Sequence, residues 1–262
     1  GKVHLSVKGK GKSIFKDVKG VSLHQVYGPH PAGNVGVQIG KISPINAGER
    51  VWTVTPQDVA TIGELFLTGK FNATRTVALV GSEVKEAQYY NVISGAAIAD
   101  LVAGKIEGDN VRVISGDVLT GTKVKMNGNL GFLSNTVTVI PEGNVYRMFG
   151  WMPFASPSVH SASRTGLSWL MPGKKYAPNT NLNGEERALV VTGEMEAVMP
   201  LDIFPMQLLK ACLASDIDKM ESLGIYEVAP EDFALIDYTN TSKLEAQQII
   251  REALDLMIKE VG

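Results

Sequence analysis

Cysteine is nearly absent from this chain: Cys212 is the single thiol in 262 residues. One thiol excludes an internal disulfide. It also excludes cysteine-ligated iron–sulfur clusters and cysteine-rich zinc sites, which need several thiolates. A reducing compartment is therefore expected, and Cys212 in LLKACLA, among apolar residues at helical spacing, reads as buried filler. Long hydrophobic runs are missing too. No stretch reaches the roughly 18 apolar residues that a membrane-spanning helix needs. The four histidines, His4, His24, His30 and His160, are scattered without metal-ligand spacing, so no metal site is expected. Gly-x-Ser-x-Gly, His-Glu-x-x-His and Walker patterns do not occur, which leaves hydrolytic and P-loop chemistry without a motif. GNVGVQIG has glycines but not the dinucleotide fingerprint, so no catalytic residue is named.

The 27 acids and 25 bases nearly cancel, to a net of −2, but they are unevenly placed. Residues 185–262 hold 16 acids and 6 bases, whereas residues 1–184 hold 11 acids and 19 bases. Two segments of opposite charge point to separate domains. Neither interleaves basic and aromatic residues as nucleic-acid binders do. Lys8, Lys10 and Lys12 in KGKGK could meet phosphate or lipid headgroups, or lie in a solvated loop.

What is present sorts into stretches of different texture. VHLSV, GVSLHQV and ERVWTVT read as strands, and residues 33–42 fit either a strand or a glycine-weakened helix. Thr55-Pro56-Gln57-Asp58 starts a helix with Val59, Ile62, Leu65 and Phe66 on one face and a stop at Gly69. YGPHPAGNVG is either a ligand loop or a structural corner; Tyr27, Gly28, His30, Gly33 and Asn34 are its candidate binding residues. RTVALVG, QYYNVI, VRVISGD, TKVKM and NTVTVI read as strands. Between the second and third lies a short helix with Ile98, Leu101 and Val102, capped by Ser94, and Asn127-Gly128 marks a turn. That order is the order of a β-grasp module.

Residues 150–184 are rich in proline, serine and asparagine, yet carry Trp151, Phe154, Trp169 and Tyr176. These aromatics are the candidate partner-docking residues. The acidic end reads as four helices forming a small bundle. Pro205 opens the first, Gly224 ends the second, Pro230-Glu231-Asp232 starts the third, and Ser242-x-x-Glu245 is a capping box for the last.

The line YGPHPAGNVGVQIGKISPINAGERVWTVTPQDVATIGELFLTGKF is more specific than any of these signals. With VRVISGDVLTGT, FGWMP, VMPLDIFPMQLLK, GIYEVAPEDFAL and IIREALDLMIKEVG, it closely resembles the A-type component of the bacterial sodium-translocating NADH:quinone oxidoreductase. The resemblance implies an architecture related to the C-type component of the Rnf complex and to the NADH-binding subunit of complex I. Its expected parts are the carboxy-terminal part of a Rossmann-like α/β domain (1–73), a β-grasp domain (74–149), the aromatic connection (150–184) and a helical domain (185–262). The fold class is thus multi-domain α+β and α/β. The family carries a further amino-terminal region, so the chain, which opens on Gly1 and shows no export leader, is expected to be a carboxy-terminal piece.

The resemblance further implies a peripheral subunit on the cytoplasmic side of the bacterial inner membrane, working in assembly and quinone reduction. Its partners are the other subunits, notably an integral membrane subunit, with quinone a possible ligand. NADH, flavins, iron–sulfur centres, quinone and Na+ are handled by those other subunits, and no cofactor is expected on this chain. Cluster cysteines that some members retain are here Ile236 and Asn240. An NADH–flavin dehydrogenase module and a stand-alone soluble-ligand-binding protein are the alternative readings.

Overall fold

A computed structural model describes residues 1–150, 159–162 and 164–261. The chain divides into two units. One comprises Gly1–Trp52, Leu189–Asn240 and Leu244–Gly262, and the other Thr53–Ala188 with Thr241–Lys243. The architecture is mixed α+β, with a two-stranded and a five-stranded sheet.

In the first unit, β1 (His4–Lys8) and β2 (Ser22–Val26) pair in parallel, from His4 opposite Ser22 to Lys8 opposite Val26. A parallel pair needs a crossover, supplied here by residues 9–21 with a 3-10 helix at Ile14–Asp17. The stretch whose periodicity fitted two structures is a helix, α1 (Val35–Ile42). ERVWTVT, expected as a strand, forms none. Val51, Trp52 and Val54 give it the composition of a strand, but no strand among the described residues pairs with its backbone.

The remaining regular structure of this unit is helical. Pro205 occupies the first turn of α4 (Pro205–Leu213), and the Asp216 side chain caps α5 (Ile217–Ser222) by accepting from the Lys219 N–H. A 3-10 turn at Pro230–Phe233 runs into α6 (Ala234–Thr239), and α7 (Ala246–Glu260) closes the fold. Ala246, Ile250, Ala253 and Met257 recur every three to four residues and meet Met206, Leu209, Met220, Phe233 and Ile236 in one core. Cys212 belongs to this core, where burial pushes its thiol up to about 11.

The Ser242 capping box does not form. Ser242 Oγ donates instead to the Ala188 carbonyl, 3.2 Å away. The first amides of α7 are taken by the Asp237 carboxylate, which accepts from Ala246 N, Gln247 N and Gln247 Nε2. An acid brought by α6 therefore does the work expected of a local hydroxyl.

The second unit opens with α2 (Pro56–Thr68). Thr55 Oγ1 accepts from Asp58 N at 3.2 Å, and Gly69 ends the helix in the left-handed region at φ 71°. The five-stranded sheet contains β3 (Thr74–Val80), β4 (Gln88–Ile93), β5 (Val111–Ser115), β6 (Thr122–Val124) and β7 (Thr136–Pro141). Its order is β4-β3-β7-β5-β6, antiparallel except for the central β3–β7 pair. The helix α3 (Ile98–Val102) lays Ile98, Leu101 and Val102 on Val77, Leu79, Val113, Val137 and Val139. Ser94 does not cap it, because its hydroxyl donates to the Phe132 carbonyl. The Asn127-Gly128 turn likewise joins no hairpin, since β6 is an edge strand on β5.

The amphipathic pattern of α2 has an unusual outcome. None of its residues is buried, and Phe66 is 85% exposed. Polar contacts fix it instead. Asp58 meets Arg75 at 2.8 Å, and Gln57 Nε2 donates to Asn135 at 2.9 Å. Arg75, itself buried on β3, also donates to Asn135.

Candidate functional site

The YGPHPAGNVG loop connects β2 to α1, the position from which a helix amino terminus could address an anion. Local contacts hold its residues. Tyr27 lies on Gly9, whose absent Cβ would sit 2.2 Å from the tyrosine Cζ, and its hydroxyl donates to Gln25 at 2.7 Å. Gly28 takes φ 127°, and the His30–Pro31 bond is cis. Two tight turns follow, with Ala32 N donating to Pro29 O and Asn34 N to Pro31 O. His30 and Gly33 are exposed, and the Gly33 carbonyl accepts from Gln38 Nε2 at 3.1 Å. Asn34 is the backbone N-cap of α1, but its side chain makes no capping bond.

That leaves the positive end of α1 without a local partner, since its first turn holds no acid. The partner arrives from far along the chain. Glu231 Oε1 accepts from Gly36 N at 3.4 Å, across a separation of 195 residues. Beside it the Asp232 carboxylate packs on Gly36 so closely that a Cβ there would lie 2.4 Å from Oδ2 and 2.8 Å from Cγ. Asp232 is 3% exposed, with Oδ2 held by the Ala229 amide at 2.9 Å and Oδ1 without a hydrogen-bond partner among the described residues. Burial pushes its carboxyl above the ordinary range. The Ala229 bond works against that shift, and neighbouring Glu231 adds to it.

A dinucleotide pyrophosphate requires an open, glycine-lined helix end. Here two carboxylates stand in that place, and a phosphate would meet steric overlap and like charge. These residues do not fit the phosphates of a flavin or nicotinamide nucleotide. Sequence reasoning named the loop and missed the acids. The available signal was an α1 amino terminus with no cap and no acid of its own.

The helical segment is expected to lack a cluster, with Ile236 and Asn240 where some members retain cysteines. Ile236 is fully buried in the core. Asn240 is 1% exposed and satisfied on both ends: Nδ2 donates to Ile236 O at 2.7 Å and Leu244 O at 3.3 Å, and Oδ1 accepts from Leu244 N at 3.2 Å. An aliphatic side chain and a hydrogen-bonded amide offer no thiolate to iron, so these two positions do not fit a cluster.

Of the four docking aromatics, Trp151 and Phe154 lie outside the described residues. Trp169 sits in a 3-10 helix at Leu167–Leu170 and is 54% exposed, beside exposed Leu167, Leu170 and Met171. Tyr176 is half-buried, its ring 5.3 Å from that of His160. The segment is fastened locally by Ser161, whose amide donates to Ser168 Oγ and whose hydroxyl accepts from Gly166 N.

The sequence matches two family models, one described as NqrA second alpha/beta domain over residues 1–71, the other as NQRA C-terminal domain over residues 76–126. NqrA proteins of Na(+)-translocating NADH-quinone reductase extend the likeness along the chain. The one from Neisseria meningitidis serogroup B is 36% identical over 260 residues, covering 99% of this chain and 58% of the relative. That from Serratia proteamaculans is 38% identical over 262 residues, with the same coverage. That from Hahella chejuensis is 39% identical over 239 residues, covering 90% and 53%.

The chain belongs to the NqrA family.

It spans somewhat over half the length of the NqrA relatives it matches. Among its described residues no helix is long and apolar enough to cross a membrane, and no three His, Cys, Asp or Glu side chains gather as metal ligands.

Proposed function

We propose that the chain is part of a peripheral, cytoplasmic-face subunit of a Na+-translocating NADH:quinone reductase. In this reading it contributes to assembly and quinone reduction while redox cofactors reside on other subunits, the integral membrane subunit being its main partner. Residues 1–73 are then the carboxy-terminal part of a Rossmann-like domain and 74–149 a β-grasp domain. The connection 150–184 supplies a docking face through Trp169, and residues 185–262 form a helical domain. The names of the relatives support the complex, and the ββαβββ order of the five-stranded sheet supports the β-grasp assignment.

One observation carries the cofactor-free part of the reading: Glu231 and Asp232 hold the amino terminus of α1. The test is calorimetric titration of the purified chain with NADH and with FMN, alongside its visible spectrum. A colourless protein with no heat of binding is expected. A yellow preparation, or NADH affinity near the micromolar range, would overturn the reading and restore the dehydrogenase alternative.

A further inference from the structure

Residues 1–26 hold six lysines against a single acid, Asp17. Four of those lysines, Lys10, Lys12, Lys16 and Lys19, lie on the crossover between β1 and β2, around the 3-10 helix at Ile14–Asp17. The same turn presents apolar side chains outward: Ile14 is 83% exposed, Val18 45% and Phe15 37%. Isolated exposed aliphatics are ordinary on protein surfaces. Three exposed apolar side chains within five residues, on a crossover that carries four lysines, are not.

The projection is also preformed. Lys16 Nζ folds back to donate to the carbonyls of Gly9 (3.4 Å) and Gly11 (3.0 Å), and Ser13 Oγ accepts from Phe15 N. Tyr27 packs on Gly9 so closely that no side chain fits between them. Lys10, Lys12 and Lys19 are exposed around this anchored base. An apolar tip with a cationic collar is the chemistry of an interfacial anchor. The collar is drawn to anionic headgroups, and the tip enters the boundary between headgroups and acyl chains. Nucleic acid fits less well, because Phe15 is the only aromatic on the crossover and offers no stacking platform.

We propose that the β1–β2 crossover docks on an anionic phospholipid bilayer, with Lys10, Lys12 and Lys19 in the headgroup layer and Ile14 and Phe15 inserted beneath them. This deepens the reading of the chain as a peripheral part of a membrane complex, but vesicles test it without any other subunit. Failure of vesicle binding would remove the lipid contact and leave the place in the complex standing. Failure to assemble with membrane subunits would do the reverse.

The experiment is co-sedimentation of the chain with phosphatidylcholine vesicles and with vesicles in which part of that lipid is phosphatidylglycerol. Binding is expected only to the anionic vesicles and should weaken as salt is raised. The Lys10→Gln/Lys12→Gln variant should bind on the order of 20-fold more weakly at low salt, and Ile14→Ser roughly tenfold. Circular dichroism checks that each variant is folded, and if Ile14→Ser is not, the lysine variant decides. Equal binding to neutral vesicles, unchanged binding of the variants, or release by inorganic phosphate at constant ionic strength would each overturn the proposal. The last would point to a small-anion site.

Discussion

Replacing Gly36 with alanine tests the contact at the start of α1 directly. Alanine is the better helix former, by about 1 kcal/mol in a helix interior, so propensity alone favours the variant. Packing opposes it. The new methyl group would lie 2.4 Å from Asp232 Oδ2 and 2.5 Å from Oδ1, well inside contact distance. Asp232 cannot swing away cheaply, being buried and tied to the Ala229 amide. Overpacking costs about 1–3 kcal/mol; contacts this short against a buried, tethered carboxylate put the cost toward the upper end, so Gly36→Ala should lose about 1–2 kcal/mol net. Urea denaturation followed by far-ultraviolet circular dichroism measures this as a lower midpoint at unchanged slope. In a double-mutant cycle, adding Asp232→Ala should recover most of the loss, a positive coupling between the two sites. A Gly36→Ala protein as stable as the parent, or one indifferent to Asp232→Ala, would refute the argument that the acid occupies that helix end.

Three further outcomes follow from other sites. Asn240→Ala should destabilise by about 2–3 kcal/mol, because it strands the buried Ile236 and Leu244 groups it satisfies; thermal or urea unfolding reads this. Glu142 should govern acid stability. The Arg112 hydrogen bond, with help from Lys123 and Thr180, holds its carboxyl down from 4.5 to about 2. A depressed folded value means stability that is present above about 4.5 and lost as pH falls toward 2. The parent and Glu142→Gln stabilities should therefore differ at neutral pH and converge across that window; parallel curves would sink the assignment. Trp169→Ala should leave stability within about 0.5 kcal/mol while weakening incorporation of the full-length protein into the complex. Intact incorporation would remove Trp169 as a docking residue.

What the sequence made legible was chiefly local. Thr55-Pro56 and Gly69 bracket α2 as their chemistry requires, and Pro205 and Gly224 bracket the helices they border. RTVALVG, read as a strand, supplies β3, with Arg75, Val77 and Leu79 buried. The misreadings are non-local. Ser242-x-x-Glu245 has the composition of a capping box, but Asp237 reaches the same amides from α6 and displaces it. Asn127-Gly128 turns the chain without setting strand order, because β7 inserts between β3 and β5. The apolar stripe of α2 identified a face without saying what covers it. Glu231 and Asp232 looked like ordinary first-turn acids, and their second role exists only through contact with a residue 195 positions away.

Because those two carboxylates are covalently part of the fold they complete, the occupant of that helix end has no dissociation constant. A nucleotide-filled cradle would make the domain's persistence rise and fall with the cellular nucleotide pool. A tethered carboxylate adds no such dependence at this helix end, which stays filled whatever the surrounding ligand concentration.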